Sequence, residues 1–74
     1  GVFVFRNQRL EEVMQMLARW YTLEIIYLHE SVKELRLSAH LGRYEHIDSL
    51  IQIIQAMDKI NIKRKDNTVI LDWK

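Results

Sequence analysis

The sequence contains no cysteine and no proline, and only two of its 74 residues are glycine. Without cysteine there is no disulfide framework and no thiolate metal site, although the compartment stays open, because a secreted domain need not contain bridges. Gly42 is the only internal glycine, so no phosphate-cradling loop can be drawn. No apolar run approaches the roughly 20 residues needed to span a bilayer, and there is no signal-peptide pattern. Charge of one sign is also lacking. Eleven Lys and Arg stand against ten Asp and Glu, a formal net charge of +1, far from the excess carried by a phosphate-binding surface. The chain begins at Gly1 rather than methionine and reads as an excised fragment: one domain over residues 1–74, with any targeting information upstream.

What is present is apolar material, 49% of the residues. A domain this small buries only about 60% of the surface its unfolded chain exposes, so a rich core is a requirement. The hydrophobic period then divides the chain. Val2 to Phe5 is a short β-branched and aromatic run, which predicts a strand. Leu10, Val13, Met14, Leu17 and Tyr21 recur at helical spacing, with Asn7 as the expected N-cap and Glu11 and Glu12 in the first turn, where they suit the helix dipole. Leu23 to Leu28 turns to β structure, with Leu23, Ile25 and Tyr27 on one face. Leu35, Leu37, Ala39 and Leu41 alternate with Arg36, Ser38 and His40 as a half-buried strand. A second helical pattern follows in Ile47, Leu50, Ile51, Ile54 and Met57, with Asp48 in its first turn and Lys59 just past its end. Ile60 to Lys65 and Thr68 to Trp73 read as two strands joined through Asp66-Asn67, a pair that tolerates the positive φ of a tight hairpin.

The predicted order is β-α-β-β-α-β-β, an α+β fold. Met16 and Trp20 extend the apolar arc of the first helix, and Ile53 that of the second, to on the order of half the circumference, wider than a usual core-facing stripe. Helices covered on more than one side need such arcs. The expectation is a pair of helices packed between two small sheets.

Catalytic chemistry finds no foothold. His40 and His46 straddle a strand-to-helix junction and His29 lies near a loop, without the i, i+4 pair or His/Cys cluster of a zinc site. Adjacent Glu11 and Glu12 point about 100° apart on a helix, with no nucleophile or histidine placed beside them. The three serines lack a nucleophile elbow. No catalytic, cofactor-binding or metal residue is therefore expected. Nucleic-acid binding rests on the run Lys63-Arg64-Lys65, with Arg36, Arg43 and Lys59 as contributors. The paired aromatics of an RNA-recognition strand and a Gly-x-x-Gly loop are both missing, and Lys63 and Lys65 can equally blunt an exposed edge. Tyr21 is expected in the core and Trp20 at its margin, sealing it. If Leu23, Ile25 and Tyr27 face inward, Ile26 and Leu28 face outward, unless they pack under the Glu30 to Glu34 loop. An exposed apolar stripe can mark an interaction surface, and small split sheets leave edges to which a partner strand can add. Ile26, Leu28 and the Arg36, Ser38, His40 face of the adjoining strand are the candidate protein interface.

Several local strings resemble the C-terminal domain of FecR-like anti-sigma factors, particularly those of Bacteroidetes. They are Phe3-Val4-Phe5, Leu10-Glu11-Glu12-Val13-Met14, Leu17-Ala18-Arg19-Trp20-Tyr21 and Leu23-Glu24-Ile25-Ile26-Tyr27. Leu41-Gly42-Arg43 running into the second helix and the closing hairpin at Asn67-Thr68-Val69-Ile70 continue the match. His46 departs from the small capping residue often found there, and Arg9 from a nearby proline. The family domain is similar to the secretin and TonB short N-terminal domain, whose two helices lie between a two-stranded and a three-stranded sheet. The resemblance implies a non-enzymatic periplasmic signalling domain at the C-terminal end of an inner-membrane protein. Such a domain recognises the signalling domain of a TonB-dependent outer-membrane receptor, while other parts of the parent meet an extracytoplasmic-function sigma factor in transcription regulation. It needs no cofactor, no nucleic acid and no membrane contact of its own. Two alternatives stay open from the residues: a small α+β RNA-binding domain, and a structural module that dimerises the parent, with homo-oligomerisation undetermined.

Overall fold

The computed structural model describes residues 1–43 and 45–74. Its elements are β1 (Val2–Arg9), α1 (Leu10–Tyr21), β2 (Glu24–Tyr27), a 3-10 helix (Glu30–Glu34), β3 (Arg36–Gly42), α2 (Ile47–Gln55), β4 (Ile60–Lys65) and β5 (Thr68–Trp73). The order is the predicted β-α-β-β-α-β-β. β1 and β3 form an antiparallel two-stranded sheet, and the second sheet has the order β2-β5-β4, with β2 parallel and β4 antiparallel to β5.

Both sheets and both helices contribute to one core. The two-stranded sheet supplies Phe3, Phe5, Leu37 and Leu41, and the three-stranded sheet Ile60, Ile62, Val69 and Leu71. Between them lie Leu10, Val13, Met14 and Leu17 of α1 and Ile47, Leu50, Ile51 and Ile54 of α2. The two helices thus pack between two small sheets, as expected, but not for the reason the wide arcs suggest. Met16, Trp20 and Ile53 are 44%, 48% and 46% exposed. The buried residues of α1 span only about 100° at 100° per residue, an ordinary core-facing stripe. A narrow stripe suffices because the inner faces of both sheets converge on it.

Asn7 is not the N-cap of α1. Its φ of 50° places it in the left-handed region, which Asn tolerates better than most residues. There it forms a bulge in β1, between the paired residues Phe5 and Gln8. Its N–H donates to Ser38 Oγ at 2.9 Å, and its carbonyl accepts from the Arg36 guanidinium at 2.9 Å. The bulge lets β1 run on to Arg9, which occupies the N-cap position in extended conformation without a side-chain cap. The Leu10 N–H donates instead to the Leu35 carbonyl at 2.6 Å. At α2 a histidine does the capping: His46 Nδ1 accepts from the Asp48 N–H at 3.1 Å. The α1 C-terminus ends on Thr22 at φ 56°, and the closing hairpin turns on Asp66 at φ 54°.

Leu23, Ile25 and Tyr27 pack against the core, and Ile26 and Leu28 stand outside it. The segment after β2 is not an irregular loop. It is a 3-10 turn that sends Val32 fully into the core, an apolar residue isolated among polar ones and therefore without a period to announce it.

Candidate interaction surface

A split sheet exposes strand edges, and the edges here differ in how they are protected. On β1 the Asn7 bulge interrupts the ladder. β2 is only four residues long. On β4, Gln55 Oε1 reaches from the end of α2 to accept the Ile62 N–H at 2.7 Å. Among the described residues β3 has none of these devices: it runs seven residues and pairs with β1 alone. The Arg43 N–H donates to the Gly1 carbonyl at 3.1 Å, and Phe3 and Phe5 stand opposite Leu41 and Ala39. By alternation the odd-numbered residues of β3 bond to β1, and Arg36, Ser38 and His40 turn their main-chain groups to the open edge. Their side chains are exposed on the outer face, where His40 lies opposite Val4.

The five predicted interface residues therefore belong to two surfaces. Ile26 and Leu28 are 37% and 57% exposed on the outer face of the three-stranded sheet, so neither packs under the following turn. Arg36, Ser38 and His40 lie on the outer face of the other sheet. β3 does not adjoin β2; β2 pairs with β5 and β3 with β1. The inner faces of the sheets meet in one core, so their outer faces look away from each other. Two neighbours of β3 escaped the sequence pattern. Val2 and Val4 are about half exposed on its outer face, and the signal for them was the alternation with Phe3 and Phe5.

Most other charged side chains are occupied in joints of the fold. Arg9 grips Glu34 through two hydrogen bonds of 2.8 and 2.9 Å and Glu11 through one of 3.0 Å, which holds the Glu34 carboxyl below its usual range. Lys33 pairs with Glu30 at 2.8 Å and lies 5.3 Å from the centre of the Tyr27 ring. Burial, helped by Glu11, pushes the Tyr27 phenol up to about 12. Arg64 donates twice to Asp48, at 2.6 and 2.8 Å, tying β4 to the first turn of α2 and lowering the Asp48 carboxyl. The basic run Lys63-Arg64-Lys65 is thereby split: Arg64 turns inward to Asp48, and only Lys63 and Lys65 face solvent. At the other end of the molecule Trp20 Nε1 donates to the Arg43 carbonyl at 3.0 Å, and the Tyr21 hydroxyl lies 3.1 and 2.6 Å from the carbonyls of Arg43 and Glu45. The Arg43 guanidinium stands over both Phe3 and Trp20. Trp20 and Tyr21 thus clamp the turn after β3, and Trp20 seals the edge of Phe3, with ring centroids 5.8 Å apart.

His29 Nε2 lies 3.6 Å from Asp72 Oδ1, His40 is on the β3 face, and His46 caps α2. Among the described residues no three His, Asp or Glu side chains are grouped to hold a metal ion. The surface is one of edges and faces, suited to another macromolecule.

Two solved structures of a candidate anti-sigma factor from Parabacteroides distasonis superpose on the whole chain with TM-scores of 0.83 and 0.84, at 18% sequence identity. This chain spans 34% of the length of each, so the likeness is one of fold over a third of those proteins. No curated protein matches the chain. The family model described as "FecR, C-terminal" matches residues 2–71. The chain belongs to the FecR C-terminal domain family, a family of signalling regulators.

Proposed function

We propose that the chain is the periplasmic signal-receiving end of a membrane-anchored anti-sigma regulator. It recognises the signalling domain of a TonB-dependent outer-membrane receptor by accepting a strand on the open edge of β3. Family membership supports the regulatory role, and the observation that carries the mode of binding is the unprotected seven-residue edge of β3. In strand addition the main chain supplies affinity and the alternating side chains supply selectivity. Ser38 and His40 offer their main-chain groups to the incoming strand. Arg36, Ser38, His40, Val2 and Val4 form the face that reads it, a mixture of basic, polar and apolar contacts. No helix among the described residues is long and apolar enough to cross a membrane; the anchor and the contact with the sigma factor are assigned to other parts of the parent. No chemical step is involved, and the work of the domain is a change in affinity.

The test is His40→Pro. Proline lacks an N–H and is tolerated where the N–H points off a sheet edge, so the bond ladder to β1 survives while the open edge loses a donor. Calorimetric titration with the signalling domain of the receptor encoded beside the parent gene should show affinity reduced about tenfold or more, the equivalent of one or two main-chain hydrogen bonds. Circular dichroism should be unchanged. Unaltered affinity in a folded variant would rule out the β3 edge as the docking strand.

A further inference from the structure

The outer face of the three-stranded sheet is not used by that reading, and its side chains form a pattern fixed by the strand register. Glu24 pairs with Thr68, and Thr68 with Lys65; Ile26 pairs with Ile70, and Ile70 with Lys63. Asn61 pairs with Asp72, and beside them the Leu28 N–H donates to the Leu71 carbonyl at 2.9 Å. Read across β2, β5 and β4, the outward face has three rows: Glu24-Thr68-Lys65, Ile26-Ile70-Lys63 and Leu28-Asp72-Asn61. The first row is acidic at one edge and basic at the other. The second is apolar and ends in a long aliphatic stem. The third frames a shallow pocket of about 120 Å³ lined by Leu28, Asn61, Lys63, Ile70 and Asp72. Among the described residues Glu24, Lys63 and Lys65 form no ion pair within the chain.

We infer that this face is a self-association surface, on which a second copy of the chain packs face to face about a two-fold axis parallel to β5. Such an axis exchanges the edges of the sheet but keeps each residue at its level along the strands. Glu24 then meets Lys65 of the second copy, and Lys65 meets its Glu24, so that two ion pairs form across the axis. Ile26 meets the stem of Lys63, and Ile70 meets itself at the centre. Leu28 enters the pocket beside Asn61. The other in-plane two-fold, perpendicular to the strands, sets Glu24 against Leu28 and Lys65 against Asn61 and matches no charge. Face-to-face sheets about 10 Å apart with strands within about 30° of alignment are an ordinary packing, and the strand-parallel axis produces it.

One residue opposes the pairing. Asp72 approaches its own copy near the axis, with His29 Nε2 3.6 Å from its carboxylate. The face is also small: nine outward side chains per copy compare with about 20–30 residues a side in a standard interface. The dimer is therefore weak in free solution and belongs to conditions that raise local concentration, such as parents confined to one membrane.

The experiment is sedimentation equilibrium of the chain, from about 10 μM to about 1 mM, a range that brackets weak association. The wild type should show a monomer–dimer equilibrium. Lys65→Glu or Glu24→Lys, each turning two attractions into two repulsions, should weaken it about tenfold. The double variant Glu24→Lys, Lys65→Glu should restore it to within about threefold, and Asp72→Asn should tighten it about threefold. All three positions carry exposed or half-exposed side chains outside the core, so these variants fold. A chain monomeric at the highest concentration, a dimer indifferent to the single variants, or a double variant as weak as the singles would each overturn the inference. His40→Pro should dimerise like the wild type, which separates this surface from the β3 edge.

Discussion

The two-stranded and three-stranded sheets bury their inner faces in the same core, yet they leave different things open to solvent. The two-stranded sheet offers an edge. Among the described residues it has no third strand, β1 is bulged at Asn7, and β3 remains regular and unpaired along one side. The three-stranded sheet offers a face. Its β4 edge is occupied at Ile62 by Gln55 and its β2 edge is short, while Ile26 and Leu28 stand exposed on the broad outer surface. An open edge selects a partner chiefly through main-chain hydrogen bonds, an open face through the shape and charge of side chains. One small core can thus carry two surfaces of different chemistry on opposite sides.

If both sheets depend on one core, damage to either should unfold both. Leu41 of the two-stranded sheet and Leu71 of the three-stranded sheet are fully buried. Leu41→Ala and Leu71→Ala should each lower stability by about 2–5 kcal/mol. Denaturant melts followed by far-ultraviolet dichroism and by tryptophan fluorescence should coincide in both variants. Separate transitions would mean that the sheets are independent units.

A smaller effect should distinguish the two ends. Trp20 closes over Phe3 and holds the turn after β3, contacts that belong to the two-stranded sheet. Trp20→Ala should cost about 1–2 kcal/mol, through lost aromatic contact and one hydrogen bond. Amide exchange should quicken in β1 and β3 first and leave β5 nearly unchanged. Equal quickening in both sheets would remove the distinction.

The pH profile separates them again, more gently. The phenol of Tyr27, which packs from β2 onto the core, is raised to about 12 by burial and by Glu11. Unfolded tyrosine ionises near 10, so the stabilisation is complete below that value and is lost as pH rises toward 12. Tyr27→Phe should flatten the alkaline limb. On the acid side the signs reverse. Asp48 and Glu34 are lowered by Arg64 and Arg9, so their contribution is present above the ordinary carboxylate range and fades as pH falls through the lowered values. Asp48 ties α2 to β4 and Glu34 ties the 3-10 helix to β1. Asp48→Asn and Glu34→Gln should therefore each shallow the acid limb of a melting-temperature profile.

Element order and most core positions were legible because they depend on period: Leu37 and Leu41 alternate, and Leu10, Val13, Met14 and Leu17 recur every three or four residues. Where a residue had two competing uses, period could not decide. Asn7 is as good a cap as it is a left-handed residue, and Ser38 and Arg36, distant in sequence, settle it as a bulge. Strand adjacency is a tertiary fact. Nothing local to Ile26 or Arg36 says that β2 pairs with β5 in parallel, so the anticipated interface was assembled from residues that the fold divides. The wide helical arcs illustrate the same limit from the other side, since they pointed to the right sandwich through Met16, Trp20 and Ile53, whose side chains it leaves about half exposed.

The β3 edge is the proposed docking strand for the partner. Amide hydrogen exchange of the labelled domain, with and without the receptor signalling domain, tests it residue by residue. Strand addition predicts strong new protection at Ser38 and His40, with Ala39 and Leu41 already protected by β1 and little altered. Protection confined to β4 and β5, or to the helices, would contradict it.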